Sequence, residues 1–352
     1  MTDEGLIFGL HHVTLVTSNE QLNRKFYTEV LGLKRVKLSV NQDDVYHRHL
    51  FYADDPQKGN AITFFEWPEL PNGMIGLGSP HHLSYEVDSV DALLRWRGWL
   101  SSKGVPSSDL VARDERVSTY LRDPDGVIVE ITTDNVEKLS DGYVSSLKAE
   151  PAPALSPDMK LSSFNHASPL SRDPETTARF LEKVLGLKRS YSRPNVDQEG
   201  GSVVGVGNDT RPDFLRYLSA KNARRGYVGI GNIHHIAMGV AGDEEQLRVL
   251  RTLEHHGVRN SGVIDRFWFH SLYFRDPDGN LLEVATKTPG YTVDEPSETL
   301  GSRLVLPTWL EPRRSEIQNA LDKEDRSNPL RWPPSSYPPV PDPAEQTMVA
   351  IA

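Results

Sequence analysis

Six residues offer the first chemistry in this chain: the histidines His12, His82, His166 and His235, and the glutamates Glu130 and Glu283. Cysteine is absent, which excludes thiolate zinc sites, iron–sulfur clusters, disulfides and a cysteine nucleophile and leaves His, Asp and Glu as the strong metal-ligand side chains. Each histidine lies in a short apolar opening: Leu10-His-His-Val-Thr-Leu-Val, Pro80-His-His-Leu-Ser-Tyr-Glu-Val, Phe164-Asn-His-Ala-Ser-Pro-Leu and Ile233-His-His-Ile-Ala-Met-Gly-Val. The glutamates stand in Val127-Ile-Val-Glu-Ile131 and Leu281-Leu-Glu-Val284, where an unpaired buried carboxylate would be costly. One histidine at a strand start is more often a satisfied or surface residue. Four at one repeated position, two with partner glutamates, point to a metal.

The repeat that aligns them is internal. Phe26-Tyr-Thr-Glu-Val-Leu-Gly-Leu-Lys-Arg35 returns as Phe180-Leu-Glu-Lys-Val-Leu-Gly-Leu-Lys-Arg189, and Arg122-Asp-Pro-Asp-Gly126 returns intact as Arg275-Asp-Pro-Asp-Gly279. The Asp-Pro-Asp-Gly runs read as structural turns. A shorter pattern within each half gives four modules. Each opens on a strand and continues with helical periodicity, as in Leu22, Phe26, Val30 and Leu31 or Thr177, Phe180, Leu181, Val184 and Leu185. Gly32 and Gly186 then take C-cap positions. Runs such as Ala61 to Phe65, Val127 to Ile131 and Leu281 to Ala285 suit strands. The fold class expected is α+β, four βαβββ modules paired into two domains.

By sequence the chain divides into residues 1–138 (modules 1 and 2), a linker at 139–162 containing Pro151, Pro153 and Pro157, residues 163–290 (modules 3 and 4), and a C-terminal extension at 291–352. In the extension, Glu311 to Leu321 suits one short helix. Pro329, Pro333, Pro334, Pro338, Pro339, Pro341 and Pro343 rule out regular structure beyond it, so that stretch is expected to wrap a surface or to be disordered.

Pairing two modules supplies two histidines and one carboxylate. On one face that set leaves coordination positions open for a substrate and dioxygen, the arrangement of non-haem Fe(II) oxygenases. If modules 1 and 4 pair, the sets are His12, His235, Glu283 and His82, His166, Glu130. If consecutive modules pair, they become His166, His235, Glu283 and His12, His82, Glu130. Both pairings leave a complete second set, so a second metal or a relic of duplication must be considered.

Composition, with 37% hydrophobic and 25% charged residues, is that of a globular protein. No run approaches a membrane helix in length, and Met1-Thr-Asp-Glu-Gly lacks signal-peptide character, so a cytoplasmic location is expected. The formal charge of −10 argues against a nucleic-acid backbone as partner. A homo-oligomer is compatible with an exposed Pro-rich tail.

At these residues the chain resembles the vicinal oxygen chelate superfamily, and more closely its ring-cleaving dioxygenases acting on hydroquinones. The resemblance rests on Thr63-Phe-Phe-Glu-Trp-Pro68, Ile233-His-His-Ile-Ala237, Asp265-Arg266, Tyr273-Phe-Arg275, Leu282-Glu-Val-Ala-Thr286, Pro289-Gly-Tyr-Thr-Val-Asp-Glu295 and Leu306-Pro-Thr-Trp-Leu-Glu-Pro312. It implies two vicinal-oxygen-chelate domains, pairing of modules 1 and 4, and Fe(II), or alternatively Mn(II), on His12, His235 and Glu283. It also implies an outer shell of His11, Thr14, His234, Arg266 and Tyr273. His11, His234 and Tyr273 are candidate proton donors or acceptors, and Arg266 a partner for phenolate or oxygen charge. Thr14, Trp268 and Phe269 are candidate substrate contacts, with Phe267 beside them. Adjacent strand residues point to opposite faces, so His11 and His12 reach one metal together only through a bulge or a strand end. The chain departs from that family's pattern in keeping Pro80-His-His82 together with Glu130 and His166, a possible second metal set.

The function expected is an Fe(II)-dependent ring-cleaving, extradiol-type dioxygenase whose partners are an aromatic hydroquinone or catechol and O2. A glyoxalase-type lyase or isomerase with a redox-inert metal, and a metal-free binder of aromatic compounds, are the alternatives.

Overall fold

The computed structural model describes residues 6–55, 60–113, 116–134, 136, 141–161, 163–195, 200–323, 331–334 and 336–340. Module 1 supplies β1 (Gly9–Thr17), β2 (Lys34–Asn41), β3 (Asp44–Ala53) and β4 (Ala61–Glu66), and module 2 supplies β5 (His82–Glu86), β6 (Val111–Arg113), β7 (Arg116–Arg122) and β8 (Ile128–Thr133). Module 3 supplies β9 (Phe164–Ser168), β10 (Leu170–Ser171), β11 (Lys188–Pro194), β12 (Ser202–Gly207) and β13 (Leu215–Ser219). Module 4 supplies β14 (Ile233–Val240), β15 (Asn260–Asp265), β16 (Phe269–Arg275) and β17 (Leu281–Pro289). The helices are α1 (Glu20–Lys25), α2 (Val90–Ser102), α3 (Asp141–Ser146), α4 (Pro174–Leu185), α5 (Asp243–His255) and α6 (Arg314–Asp322).

The two sheets cut across the two sequence repeats. One runs β15-β16-β17-β14-β1-β4-β3-β2, joining modules 4 and 1; the other runs β11-β12-β13-β9-β5-β8-β7-β6, with β10 beside β13, joining modules 3 and 2. The antiparallel joins are β1 with β14 and β5 with β9. Between the sheets the chain crosses in two segments that bridge at Asn72↔Ile230, Met74↔Tyr227 and Leu77↔Arg225. Gly76 and Gly226 are required there, because a Cβ on either would run into the backbone of the opposite segment.

Strand alternation separates core from site. Val13 and Leu15 of β1, Ile236 and Met238 of β14, Leu272 and Phe274 of β16 and Leu282 and Val284 of β17 all join the main core. Their neighbours His12, Thr14, His235, Ser271, Tyr273 and Glu283 therefore face the other side. Trp96 and Trp99 of α2 are buried in the same core, and Trp99 Nε1 donates to the Val30 carbonyl at 2.8 Å, tying module 2 to module 1.

The expected helix of module 1 divides into α1, capped by Asn19 accepting from the Leu22 N–H, and a π turn at Phe26–Val30. The Leu31 N–H reaches back to the Phe26 carbonyl at 2.9 Å, a wider turn that carries Phe26, Tyr27 and Val30 together into the core. Gly32 and Gly186 both have positive φ, 75° and 69°, as C-cap positions require. The linker region is more ordered than its prolines suggest: it contains α3 and a 3-10 turn at Pro157–Met159, and Trp96 Nε1 donates to the Met159 carbonyl at 2.9 Å. Residues 139, 140 and 162 lie outside the described residues.

The C-terminal extension wraps the β2 edge of the first sheet. Leu38 bridges Leu304, and the Val305 N–H donates to the Leu38 carbonyl at 2.9 Å. A 3-10 turn at Glu311–Arg313 leads into α6, whose Ile317 and Leu321 are buried. Of the tail prolines, Pro329, Pro341 and Pro343 lie outside the described residues, while Tyr337 hydroxyl donates to the Arg122 carbonyl at 2.8 Å. Among the described residues no helix is long and apolar enough to cross a membrane.

A buried cation helps to fasten this strap. Lys37 Nζ, with its side chain fully buried, lies 2.6 Å from both Asp294 Oδ1 and Glu295 Oε2. Lys37→Met should therefore destabilise the protein by about 3 kcal/mol, because it leaves Glu295 buried without its main counter-charge. Urea unfolding curves measure this; an unchanged midpoint would show that the strap adds little to the fold.

Candidate metal centre

The joining of β1 to β14 decides which histidines meet. His12 pairs with Ala237 and Thr14 with His235, so imidazoles from modules 1 and 4 face the same side of the sheet. Beside β14 runs β17, with Ala237 opposite Glu283. His12 Nε2 lies 3.2 Å from His235 Nε2 and 3.2 Å from Glu283 Oε2, and His235 Nε2 lies 2.9 Å from Glu283 Oε2. These three residues are 2%, 3% and 0% exposed.

The donor set fits a metal ion. Ligand atoms about 2.1 Å from one centre lie about 3.0 Å apart at right angles and about 3.4 Å apart at tetrahedral angles. The three contacts match that spacing, and Glu283 Oε2 is buried without a hydrogen-bond partner. Burial pushes the Glu283 carboxyl up, but the adjacent His12 charge and contacts from His12 and His235 outweigh it and hold the group well below the usual carboxylate range. Burial lowers the His235 imidazole against the pull of Glu283. Both changes favour the metal-binding forms, carboxylate and neutral imidazole.

The residue preceding each histidine fixes its ring. His11 Nδ1 is 2.8 Å from His12 Nδ1, and His234 Nδ1 is 2.8 Å from His235 Nδ1. Binding through Nε2 leaves the proton on Nδ1, which then donates to the preceding histidine. The adjacency that alternation forbids is achieved by irregularity: the β1–β14 register shifts between Leu10 and His12 and between Thr14 and Leu15, leaving His11 and His234 as the extra residues. Burial, then the neighbouring ligand histidine, lowers both His11 and His234 to about 3. Glu283 is oriented likewise, its Oε1 accepting from Ser271 Oγ at 2.5 Å.

A cleft of about 380 Å³, counting its open mouth, borders this centre and is lined by residues including His12, His235, His49, Phe51, Phe65, Arg266, Trp268, Phe269 and Tyr273. Of the sequence candidates, Trp268, Phe269, Tyr273 and Arg266 line the cleft, whereas His11, Thr14 and His234 do not border it. Thr14 is fully buried, its hydroxyl 2.7 Å from that of Thr63. Phe267 turns away, at a positive φ of 73°, to meet Trp309 edge-on at 5.8 Å. Tyr273 stands with its ring 5.5 Å from that of His235. Burial, then the Glu283 charge, raises its hydroxyl pKa, so it stays protonated. Arg266 forms a two-pronged pair with Asp43 at 3.1 and 2.7 Å, and its guanidinium lies 5.8 Å from the centre of the Tyr273 ring.

Sequence reasoning missed His49, Ser271, Phe51 and Phe65. His49 sits between Phe51 and Phe65, at ring separations of 4.0 and 4.5 Å, and its Nε2 is 3.0 Å from the Thr63 hydroxyl. Burial holds it well below the ordinary histidine range. The available signal was alternation in Tyr46-His-Arg-His-Leu-Phe51, which puts His49 and Phe51 on one face.

The second candidate set also converges. His82, Glu130 and His166 form, with the first triad, the two groups among the described residues whose ligand atoms lie within 4.8 Å of one another.

The glyoxalase/bleomycin resistance protein/dioxygenase superfamily model matches residues 9–131 and 163–284. The chain belongs to this superfamily. Among its relatives, "Putative ring-cleaving dioxygenase MhqO" of Bacillus subtilis is 34% identical over 325 residues, covering 89% of this chain and 95% of that protein. "Chlorohydroquinone/hydroquinone 1,2-dioxygenase" of Sphingobium indicum is 28% identical over 324 residues, covering 89% and 96%. A crystal structure of a "putative dioxygenase" from B. subtilis is 32% identical and superposes with a TM-score of 0.74, covering 90% of this chain and 97% of that one. Glyoxalase I from Zea mays, 17% identical with a TM-score of 0.58, covers 80% and 92% and shares the fold. The superfamily fold is thus present as two curled sheets, each built from a pair of modules.

Because Ser271 orients Glu283, Ser271→Ala should weaken divalent-metal affinity by roughly 10- to 100-fold. Titration of metal-free protein by calorimetry checks this, and an unchanged affinity would remove Ser271 from the support of the centre.

Proposed function

We propose that this protein is a ring-cleaving dioxygenase that opens a hydroquinone or catechol ring with O2, using Fe(II), or alternatively Mn(II), on His12, His235 and Glu283. One observation carries the reading: His12, His235 and Glu283 converge within ligand distance of one another, and His12 and His235 line an aromatic cleft. The names of relatives that align over nine-tenths of the chain point to the same reaction class. Iron bound there would hold a ring oxygen and dioxygen together and carry electron density from the ring to the oxygen.

The protein's own groups would do the rest. Phe65, Trp268 and Phe269 present apolar faces that receive the ring and exclude water. Tyr273 keeps its proton and holds it at the cleft wall, its ring 5.5 Å from that of His235, where it can donate to a substrate oxygen. Arg266, anchored by Asp43, places a fixed positive charge at the rim, where it can balance a phenolate. His49, neutral and seated against Thr63, offers a nitrogen to accept the proton of a ring hydroxyl. His11 and His234 would act as positioning residues, through the Nδ1 atoms of His12 and His235.

Protein loaded with Fe(II) without air should consume O2 in proportion to added hydroquinone or catechol, and Glu283→Gln should lose that uptake with little change in fold. Turnover without oxygen would instead identify a lyase or isomerase. Tyr273→Phe should lower kcat by about 10²-fold or more; a wild-type kcat would leave Tyr273 as wall alone.

A further inference from the structure

We infer that His82, His166 and Glu130 form a second, non-catalytic divalent transition-metal site in the sheet built from modules 2 and 3. His82 Nε2 lies 3.4 Å and His166 Nε2 3.1 Å from Glu130 Oε2, and the three residues are 5%, 0% and 1% exposed. This spacing again suits ligands sharing one ion.

The hydrogen bonds around His166 make the need for a cation specific. Asn165 Nδ2 donates to Asp134 Oδ2 at 3.1 Å, which turns its amide oxygen toward His166 Nδ1 at 2.7 Å. The oxygen can only accept, so the proton of a neutral His166 sits on Nδ1 and a lone pair sits on Nε2. That lone pair faces a carboxylate oxygen. Glu130 Oε1 is already served by the Tyr120 hydroxyl at 2.7 Å, and both Glu130 Oε2 and His166 Nε2 are buried without a hydrogen-bond partner. Two acceptors buried 3.1 Å apart repel unless a cation lies between them.

The supporting shell is as complete as that of the first centre. His81 Nδ1 stands 2.8 Å from His82 Nδ1, as His11 and His234 stand to His12 and His235. A register shift in the β5–β9 join falls between Ser84, which pairs with His166, and Tyr85, which pairs with Phe164, so Asn165 is the extra residue. In each of the four modules, then, the residue before the ligand histidine orients its ring.

What differs is the wall. In the first cup the parallel pairing of β1 with β4 sets Thr63 beside Thr14, two residues beyond His12. In the second, β13 pairs Leu215 with Ala167, and the next step along that parallel ladder sets Arg216 beside Ser168, two residues beyond His166. A buried guanidinium, 8% exposed, replaces a small hydroxyl. On the ground of that substitution at the corresponding strand position, the second ion is inferred to be held without turning over substrate.

The test is metal content of the full-length protein, loaded with Mn(II) and separately with Zn(II), dialysed, and measured by mass spectrometry for wild type, Glu130→Gln and Glu283→Gln. The expected result is two ions per chain in wild type and one in each variant, with added metal still raising the Tm of Glu283→Gln. One ion in wild type, lost in Glu283→Gln and kept in Glu130→Gln, would overturn the second site and leave the proposed reaction standing. One ion lost only in Glu130→Gln would uphold this site and overturn the first centre. Should Glu130→Gln fail to fold, His82→Asn takes its place, and the wild-type count of two or one decides.

Discussion

A carboxylate with no access to water, Glu283, is held against two imidazole nitrogens in the middle of an apolar strand. Burying such a charge unpaired costs several kcal/mol, a large share of the roughly 5–15 kcal/mol by which a domain is stable. Compensation must arrive at the right atom, and much of the surrounding structure serves that end. The β1–β14 ladder delivers His12 and His235, two local irregularities seat the residues that hold their rings, and Ser271 occupies the oxygen of Glu283 that faces away. Metal binding and folding are coupled wherever a site of this kind is built, because the ligands converge only in the folded chain.

The cleft is no less dependent on distant elements. Trp268 is 1% exposed and its indole N–H lies 3.2 Å from both carboxylate oxygens of Asp294, which also faces Lys37 Nζ. Lys37 in turn sits 5.5 Å from the centre of the Trp268 ring. Tyr291 and Val305, from the extension beyond the fourth module, pack with Phe51, Trp268 and Phe269 in one cluster. The strap therefore backs the cleft wall, and its loosening would move aromatic groups beside the His12, His235 and Glu283 triad as well as the sheet edge.

The repeat made much of this legible in the chain itself. Histidines and glutamates recurring at matched strand positions gave the ligand types, and the runs around them gave the strands. The pairing of modules was not legible from the repeat, since either choice leaves complete sets of ligands; only long-range register, Thr14 against His235, separates them. Period-two alternation also made His11 and His12 incompatible, because a bulge depends on the partner strand and leaves no local mark. His49 escaped for another reason. It has no ligand-type equivalent in the other modules, so comparing modules could not raise it, and its place is fixed by aromatic neighbours on β3 and β4. The π turn at Phe26–Val30 keeps helical spacing in its apolar residues and so reads as ordinary helix.

Duplication leaves two cups that share a His, His, Glu triad but differ in the residues beside it. Retaining a ligand triad requires three residues and their orienting neighbours, all of which also pack the centre of a sheet, so losing one would expose the others to an unbalanced burial cost. A wall residue carries no such coupling. Thr63 and Arg216 occupy corresponding strand places, yet one is a small hydroxyl and the other a long buried cation. The physics thus allows reactivity to be confined to one cup by a change at the wall while the buried polar set persists in the other. In such a fold, intact ligands show that a charge must be balanced. Access from the cleft decides whether chemistry follows.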